Sequence, residues 1–312
     1  MAPGIRQPLD TAFKQQRLKA FQPLMTPKTI ILIFLCTGIV FLAIGIMIVV
    51  VDSSVVEVEV QYPDGCNIGS TCTFTHTVLE KMASPVYFYY KISGMYQNHR
   101  RYVKSRNDDQ LAGKAATNFK SCDPLIYDPN DEHKVLYPCG LIAKSYFNDV
   151  ITAKLNGNEL EGDSWNKTNI MWESDRHKFH TDPFYKSSEF SPLSELGGKP
   201  VDDPDFIVWM RAAGLPVFKK LYRIKQDNKD INVNDKLEFT VQNNYNVAEF
   251  GGSKSIVIST ISFLGGKNPF LGWAYITVSI LCLVFAAGLS VLYFLCPRKP
   301  GDLSYWEKTH AH

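Results

Sequence analysis

The chain lacks a large net charge of either sign, and it lacks the short sequence motifs of several large enzyme classes. Its 33 basic and 31 acidic residues leave a net charge of +2, without the strongly basic footprint of nucleic-acid-binding proteins. No Gly-x-Ser-x-Gly elbow is present, and LGGKN lacks the upstream glycine and the Ser/Thr of a phosphate-binding loop. DPNDEH lacks the glycine and terminal glutamate of a calcium loop. Glycoside chemistry stays open, since carboxylates are plentiful and the sequence does not set their separation.

Charge is also missing from two long stretches, Thr29–Val51 and Pro269–Cys296. A helix needs about 20 apolar residues to cross a bilayer, so we predict transmembrane helices at residues 29–51 and 269–296. The first run is too long for the apolar part of a signal peptide, and no small-residue cleavage site follows it. Before the second, the Gly265-Gly266 turn, Asn268 as a cap and Pro269 suit a helix start.

The residues that flank these helices predict their orientation. Basic residues lie on the terminal side of both helices: Arg6, Lys14, Arg17, Lys19, Lys28, Arg298 and Lys299. Acidic residues follow the first helix directly, at Asp52, Glu57 and Glu59. The positive-inside rule therefore predicts cytosolic tails at residues 1–28 and 297–312, and a lumenal or extracellular domain at residues 52–268.

Four cysteines lie in that domain: Cys66, Cys72, Cys122 and Cys139. The compartment is oxidising, so we expect disulfides, for which three pairings exist. We predict Cys66–Cys72 and Cys122–Cys139, because each pair brackets a turn-rich segment. A zinc site is the alternative, but these spacings lack the short Cys-x-x-Cys knuckle.

Two further local patterns are compatible with modification or metal binding. Asn166-Lys167-Thr168 is an N-glycosylation acceptor if the domain is lumenal. His177 and His180 in DRHKFHTD have a spacing that could place both imidazoles on one helical face as metal ligands. A solvated loop is the simpler interpretation, so we predict no metal and no cofactor.

Alternating apolar and polar residues predict strands at both ends of the domain. They are VVEVEVQY, CTFTHTV, PVYFYYKI, KLEFTVQ and SIVISTISF. Helices are predicted at Leu141–Asp149 and Asp203–Gly214, the second with Asp203 as cap and Pro204 next. The predicted fold class is therefore membrane α+β: two transmembrane helices flank a large, antiparallel, β-rich, sandwich-like domain with helical insertions and two disulfides.

The densest polar and aromatic stretch is MYQNHRRYVKSRNDDQL, Met95 to Leu111. One interpretation is a solvated face with internal ion pairs, each worth about 0–1 kcal/mol. Arginine beside tyrosine is also enriched in protein interfaces, so composition alone leaves both interpretations open.

This stretch also resembles the signature of the cell-division-control-protein-50 family, also called the transmembrane-protein-30 family. Four more blocks resemble that family in the same order: TAFKQQRLKAFQP, YPCGLIAKSYFND, DFIVWMRAAGLPVFKKLYR and STISFLGGKNPFLGWAY. Together they extend from the N-terminal tail to the second predicted helix. The four cysteines fit the two-disulfide pattern of the family, although some members carry six cysteines and also more glycosylation acceptor sites.

The resemblance implies a non-catalytic β-subunit of a phospholipid-flipping P-type ATPase, in which the partner hydrolyses ATP and moves lipid from the exoplasmic to the cytosolic leaflet. Such subunits help the ATPase leave the endoplasmic reticulum and support its transport cycle, in the endoplasmic reticulum, the Golgi and endosomal system and the plasma membrane. We expect the following residues to contact the partner: Tyr96, His99, Arg100, Arg101, Tyr102, Lys104, Arg106, Trp209, Arg211, Lys267, Asn268, Phe13 and Arg17. Membrane lipids are the other expected partner, and nucleic acid is not one.

Two alternatives share the two-helix plan. A ligand-gated channel subunit needs polar or small residues along one stripe of a helix and an acidic ring for cation selectivity. The predicted helices offer few polar residues, Cys36, Thr37, Thr277 and Ser279 among them, and no such ring. A membrane-anchored ectoenzyme would show turnover by its lumenal domain.

Overall fold

The computed structural model describes residues 9–20, 25–196 and 198–296. It divides into a β-rich unit, Val51–Asn268, and a second unit that contains the residues before Val51 and those from Pro269 onward. The predicted C-terminal tail, with Arg298 and Lys299, and the part of the N-terminal tail that holds Arg6 lie outside the described residues.

The seven helices and eleven strands of the described residues are numbered in chain order. The helices are α1 (Pro27–Ser53), α2 (Arg100–Lys104), α3 (Asp108–Leu111), α4 (Leu141–Lys144), α5 (Glu173–Arg176), α6 (Pro204–Met210) and α7 (Pro269–Leu295). The strands are β1 (Glu57–Gln61), β2 (Thr71–Thr77), β3 (Val86–Ile92), β4 (Tyr127–Asp128), β5 (Asp131–Tyr137), β6 (Val150–Leu155), β7 (Asn158–Glu159), β8 (Phe190–Pro192), β9 (Phe218–Lys225), β10 (Lys236–Gln242) and β11 (Lys254–Ser259). Short 3-10 helices lie at Lys120–Cys122, Gly162–Trp165, Pro183–Lys186, Leu193–Leu196 and Ala248–Phe250.

The second unit is built on α1 and α7, which are both long and apolar enough to cross a membrane. Glycines let them approach closely: a Cβ atom on Gly45 would lie 2.8 Å from a side-chain carbon of Ile276. The Ser279 hydroxyl on α7 donates a hydrogen bond of 2.7 Å to the carbonyl oxygen of Gly38 on α1. In an apolar surrounding, such small residues and short polar contacts are what hold helices together.

The β-rich unit contains two four-stranded antiparallel sheets. The first has the order β1-β11-β3-β9 and the second β2-β10-β6-β7. A smaller sheet, β4-β5-β8, pairs β5 with β8 in parallel. The membrane-flanking strands β1 and β11 are neighbours, with Glu57 opposite Ser259.

The core lies between the two large sheets, as the alternation in the strands requires. Leu237, Phe239 and Val241 of β10 share one face, as predicted, and all three are fully buried. The ring of Phe239 lies 6.3 Å from that of Phe88 on β3, so side chains of the two sheets meet. The predicted fold class is confirmed: two apolar helices flank an antiparallel β-rich, sandwich-like domain with two disulfides.

The disulfides join Cys66 to Cys72 and Cys122 to Cys139. The first closes the short loop before β2, and the second lies in a small buried cluster with Leu136.

The predicted helices are shorter than expected. The helix from Leu141 ends at Lys144, and the hydroxyl of the next residue, Ser145, donates to the carbonyl oxygen of Leu141 at 2.8 Å. The helix at Pro204 has the predicted Asp203 cap, whose carboxylate accepts from the Asp205 N–H at 2.9 Å. It ends at Met210, however, because the following residues turn to enter β9.

Candidate partner-binding surface

The stretch Met95–Leu111 follows β3 and alternates between buried and exposed side chains. Its buried polar members are Gln97, Ser105, Asn107 and Gln110. Its most exposed members include Tyr96, His99, Arg100, Arg101, Val103 and Lys104. The stretch therefore has a polar inner side that faces the domain and a basic, aromatic outer side that faces solvent.

The inner side is tied to the chain segment closed by the second disulfide. Ser105 Oγ donates to the carbonyl oxygen of Cys122 at 2.8 Å. Gln110 Nε2 donates to the carbonyl oxygen of Leu136 at 3.2 Å, and Gln110 Oε1 accepts from the Cys139 N–H at 2.9 Å. Buried backbone groups cost free energy unless they are bonded, so these side chains specify the path of the stretch over the disulfide.

Close packing at Gly140 completes this attachment. Gly140 has φ +106°, a conformation that favours glycine, and it precedes α4. A Cβ atom there would collide with the carbonyl oxygen of Ser105. The backbone of the stretch therefore lies directly against the residue that follows Cys139.

The other end of the stretch is tied to the segment between α6 and β9. Gln97 Oε1 accepts from the Ala213 N–H at 2.9 Å, and Asn98 Nδ2 donates to the carbonyl oxygen of Gly214 at 3.0 Å. Two apolar side chains near this junction are exposed, Leu215 by 69% and Val217 by 50%. We call the exposed side chains of residues 95–111 and 211–217 the basic-aromatic surface.

Most of the positive charge on this surface is weakly neutralised. Arg101 lies 3.8 Å from Asp123, with both side chains largely exposed, and Arg106 lies 2.9 Å from Asp108. Exposed pairs of this kind contribute about 0–1 kcal/mol. Within the part of the chain that the structure describes, no ion-pair partner lies within 4.0 Å of Arg100 or Lys104. The surface therefore presents cations that are available to a partner.

Arg211 is held by two neighbours at the edge of this surface. Its guanidinium carbon lies 3.4 Å from the ring centroid of Trp172, and its Nε donates to Asp175 Oδ2 at 2.5 Å. Trp172 is 65% exposed. Burial disfavours the charged Asp175 carboxylate, but hydrogen bonds from Lys178 and Arg211 outweigh this and lower its pKa below the usual value. Arg211 and Trp172 thus present a fixed cation and an aromatic ring side by side.

A cleft of about 790 Å³ lies beside Arg211, and its lining also includes Arg106, Asp108 and His180. The lining carries charges of both signs. The Nε2 atom of His180 lies 3.1 Å from the backbone carbonyl oxygen of His177. Among the described residues, no group of three or more His, Cys, Asp or Glu side chains is arranged to hold a metal.

Trp209 was predicted to contact the partner, and its position in the structure contradicts this. The side chain is fully buried, its Nε1 donates to the carbonyl oxygen of Ile142 at 2.8 Å, and its ring packs among Tyr146, Phe218 and Tyr245. Every residue of α6 from Asp205 to Met210 is buried, so Trp209 stabilises the core instead.

Tyr102 has a mainly structural position as well. It is partly buried, its hydroxyl bonds Ser145 Oγ at 2.7 Å, and burial raises its pKa to about 12. It therefore attaches α2 to the end of α4 and leaves only part of its ring for a partner.

The remaining predicted contacts lie in other parts of the chain. Lys267 and Asn268 are exposed at the end of the β-rich unit, where the Asn268 N–H donates to Asp52 Oδ1 at 2.5 Å. Phe13, 77% exposed, and Arg17, paired with Asp10, belong to the unit of α1 and α7. For these four residues, partner contact stays a prediction.

Sequence reasoning did not find the residues that shape the surface from beneath. Gln97, Ser105 and Gln110 lie among charged neighbours, and nothing in the local pattern marks them as buried. Trp172 lies in a region that the sequence left without assigned structure.

Comparison with known proteins supports the family resemblance. A sequence model described as LEM3 (ligand-effect modulator 3) family / CDC50 family matches residues 54–299. "Putative ALA-interacting subunit 4" of Arabidopsis thaliana is 40% identical, over 96% of this chain and 94% of the relative. "Cell cycle control protein 50A" of Mus musculus is 37% identical, over 92% and 89%, and "Cell cycle control protein 50B" of Homo sapiens is 33% identical, over 96% and 97%. The chain belongs to the CDC50/LEM3 family.

Proposed function

We propose that this protein is the non-catalytic β-subunit of a P-type ATPase that flips phospholipids. The observation that carries the proposal is the likeness, over nearly the whole chain, to relatives named as ALA-interacting subunits. The ATPase hydrolyses ATP and carries the lipid path, while this chain assists its assembly, its export from the endoplasmic reticulum and its transport cycle. It works in the endoplasmic reticulum and in the Golgi and endosomal membranes, and it reaches the plasma membrane with some partners.

The proposed topology places both tails, residues 1–28 and 297–312, in the cytosol and the β-rich unit on the exoplasmic side. The two disulfides support this placement, since disulfides persist in oxidising compartments. Asn166 supports it as a glycosylation site: its Oδ1 accepts from the Thr168 N–H at 2.8 Å, and Thr168 itself is exposed.

The basic-aromatic surface is the proposed contact with the exoplasmic loops of the ATPase. It combines arginine with exposed aromatic and aliphatic side chains, which is the composition enriched at protein interfaces. Arg100 and Lys104 supply charge for acidic groups of the partner. Because the inner side of the stretch is bonded to the disulfide segment, the surface is preorganised and loses little conformational entropy on binding.

The two apolar helices also offer a surface to the helices of the ATPase. Gly38 and Gly45 are used within the unit, where they bring α1 and α7 together. Ala43, Ala287 and Gly288 are exposed. Small exposed residues permit close approach by another helix, so we propose that these three face the ATPase.

Affinity purification in mild detergent tests the proposal. We expect a large P-type ATPase to co-purify with the full chain, and ATPase activity and lipid flipping in vesicles to require both chains. Recovery of the chain without an ATPase, or an ionic current from the chain alone, would contradict the proposal.

A double substitution tests the surface. Arg100→Ala/Arg101→Ala should lower ATPase recovery about ten-fold or more, since interface cations of this kind contribute about 1–2 kcal/mol each. The matched control is Lys154→Ala/Lys236→Ala, which removes the same charge from the second sheet and should leave recovery unchanged. Equal recovery with both double variants would show that the surface does not bind the ATPase.

A further inference from the structure

A tight turn follows β11 and presents an apolar tip. The Ser262 N–H donates to the carbonyl oxygen of Gly265 at 2.8 Å, and the Gly265 N–H donates to the carbonyl oxygen of Ser262 at 3.0 Å. Ser262 Oγ also accepts from the Leu264 N–H at 3.2 Å. With Gly265 at φ +109°, the turn is closed and its shape is set by its own bonds.

The tip residues are unusual for a turn. Polar residues, glycine and proline dominate exposed turns because they bond or relieve the backbone. Here the two central residues are Phe263, 78% exposed, and Leu264, 50% exposed, and Ile261 beside them is 43% exposed. Single exposed apolar side chains are ordinary, but three within four residues on a closed turn form a patch that calls for an explanation.

The chain itself keeps this tip close to the predicted membrane. Leu264 precedes Pro269, the first residue of α7, by five residues, and five extended residues span at most about 18 Å. The headgroup layer on each side of the hydrocarbon core is about 5–8 Å thick. From Ile261 to Gly272 the chain has no acidic residue and one cation, Lys267. Phe270 and Trp273 in the first turn of α7 are exposed, and aromatic side chains are enriched at membrane interfaces.

We propose that the tip formed by Phe263 and Leu264 inserts into the boundary between headgroups and acyl chains of the adjacent leaflet. The turn then acts as a third membrane anchor in addition to α1 and α7. This inference requires that α7 spans the membrane and does not require the ATPase.

The chemistry of the tip favours lipid over protein as its occupant. The only polar side chain in the turn, Ser262, is used within the turn, so the tip offers apolar area without directional bonds. A bilayer interface can bury an apolar surface without directional bonds, and the strength of binding grows with the apolar area that is buried. Protein interfaces instead combine apolar anchors with a polar rim, which the basic-aromatic surface has and this tip lacks.

Fluorescence quenching in nanodiscs tests the proposal. The full chain with Phe263→Trp is placed in phosphatidylcholine that carries bromine on the acyl chains, and the emission of the parent chain, with its five native tryptophans, is subtracted. We expect the added emission to fall about two-fold or more relative to unbrominated lipid.

Leu215→Trp is the matched control. Leu215 is 69% exposed and lies just before β9. The first residue of β9, Phe218, pairs with Ile92 of β3, and Ile92 pairs in turn with Lys254, the first residue of β11. That is the opposite end of β11 from Ser259 and the turn. Its added emission should stay unquenched.

A second variant separates lipid from protein as the occupant. Phe263→Ser should leave co-purification of the ATPase within about two-fold of the parent chain, because the tip is not a main protein contact. An unquenched Phe263→Trp chain would overturn the proposal. So would a loss of ATPase recovery with Phe263→Ser as large as that with Arg100→Ala/Arg101→Ala, which would assign the tip to the partner.

Discussion

Gln110 is buried beneath the basic-aromatic surface, and Gln110→Met tests whether that surface depends on it. The side chain is fully buried and bonds both the Leu136 carbonyl oxygen and the Cys139 N–H. Methionine has a similar length and volume but can form neither bond. The substitution therefore leaves two buried backbone groups without partners and changes nothing on the exposed side.

The expected loss follows from those two groups. A buried backbone donor or acceptor that is left unsatisfied costs about 1–3 kcal/mol, so Gln110→Met should lower the free energy of unfolding by about 2–6 kcal/mol. For a domain of this size, 1 kcal/mol shifts the melting temperature by about 2–4 °C. We therefore expect the melting temperature of the β-rich unit to fall by at least about 4 °C.

Scanning fluorimetry of the full chain in detergent measures this, since the buried Trp209 reports unfolding. The control is Lys104→Met, an exposed change in the same stretch, which should alter stability by no more than about 0.5 kcal/mol. Recovery of the ATPase should also fall with Gln110→Met, because the surface loses its fixed shape. A melting temperature equal to that of the Lys104→Met chain would refute the proposed role of Gln110.

Two further substitutions and one insertion address other parts of the molecule. Lys254→Met should lower the free energy of unfolding by about 3–5 kcal/mol in denaturant titration, because the buried Asp149 carboxylate, 2.7 Å from Lys254 Nζ, loses its cation. A loss below about 1 kcal/mol would contradict this. Burial lowers the pKa of Lys220 in the folded chain to about 7, from the ordinary value of 10.5. Between these two pH values the unfolded chain binds more protons than the folded chain. The free energy of unfolding should therefore rise with pH by up to about 1.4 kcal/mol per pH unit. Lys220→Met should abolish that rise between pH 7.5 and 9, and parallel slopes for both chains would refute it. Two residues inserted between Gly265 and Gly266 should reduce ATPase recovery while membrane insertion stays intact; unchanged recovery would show that this joint tolerates a change of length.

Strong periodic patterns predicted much of the β-rich unit. Each of the five predicted strand segments overlaps an observed strand, because apolar and polar residues alternate visibly along it. β9 was missed because Lys220 and Lys225 face inward, where the pattern would require apolar residues. Lys220 is accommodated because its Nζ donates to carbonyl oxygens that end α6, including that of Trp209 at 2.9 Å.

The surface was predicted only in part. Exposed Arg100, Arg101 and Lys104 follow from charge alone, since unpaired charges are costly to bury. Trp209 was wrongly predicted to contact the partner, because a large aromatic side chain is typical of both cores and interfaces. Only its burial in the structure distinguishes the two positions. The partnership of Arg211 with Trp172 joins residues far apart in the chain and has no local signal.

The two apolar helices, the antiparallel β-rich plan and the family could be predicted from the sequence, because they depend on composition, local periodicity and the order of long blocks. Which side chains are exposed on the basic-aromatic surface, and which support that surface from beneath, became visible only in the folded domain. Gln97, Ser105 and Gln110 are buried because long-range backbone groups near Cys122, Cys139 and Ala213 need hydrogen-bond partners there. Such needs arise only when distant segments pack together, and they leave no mark in the local sequence.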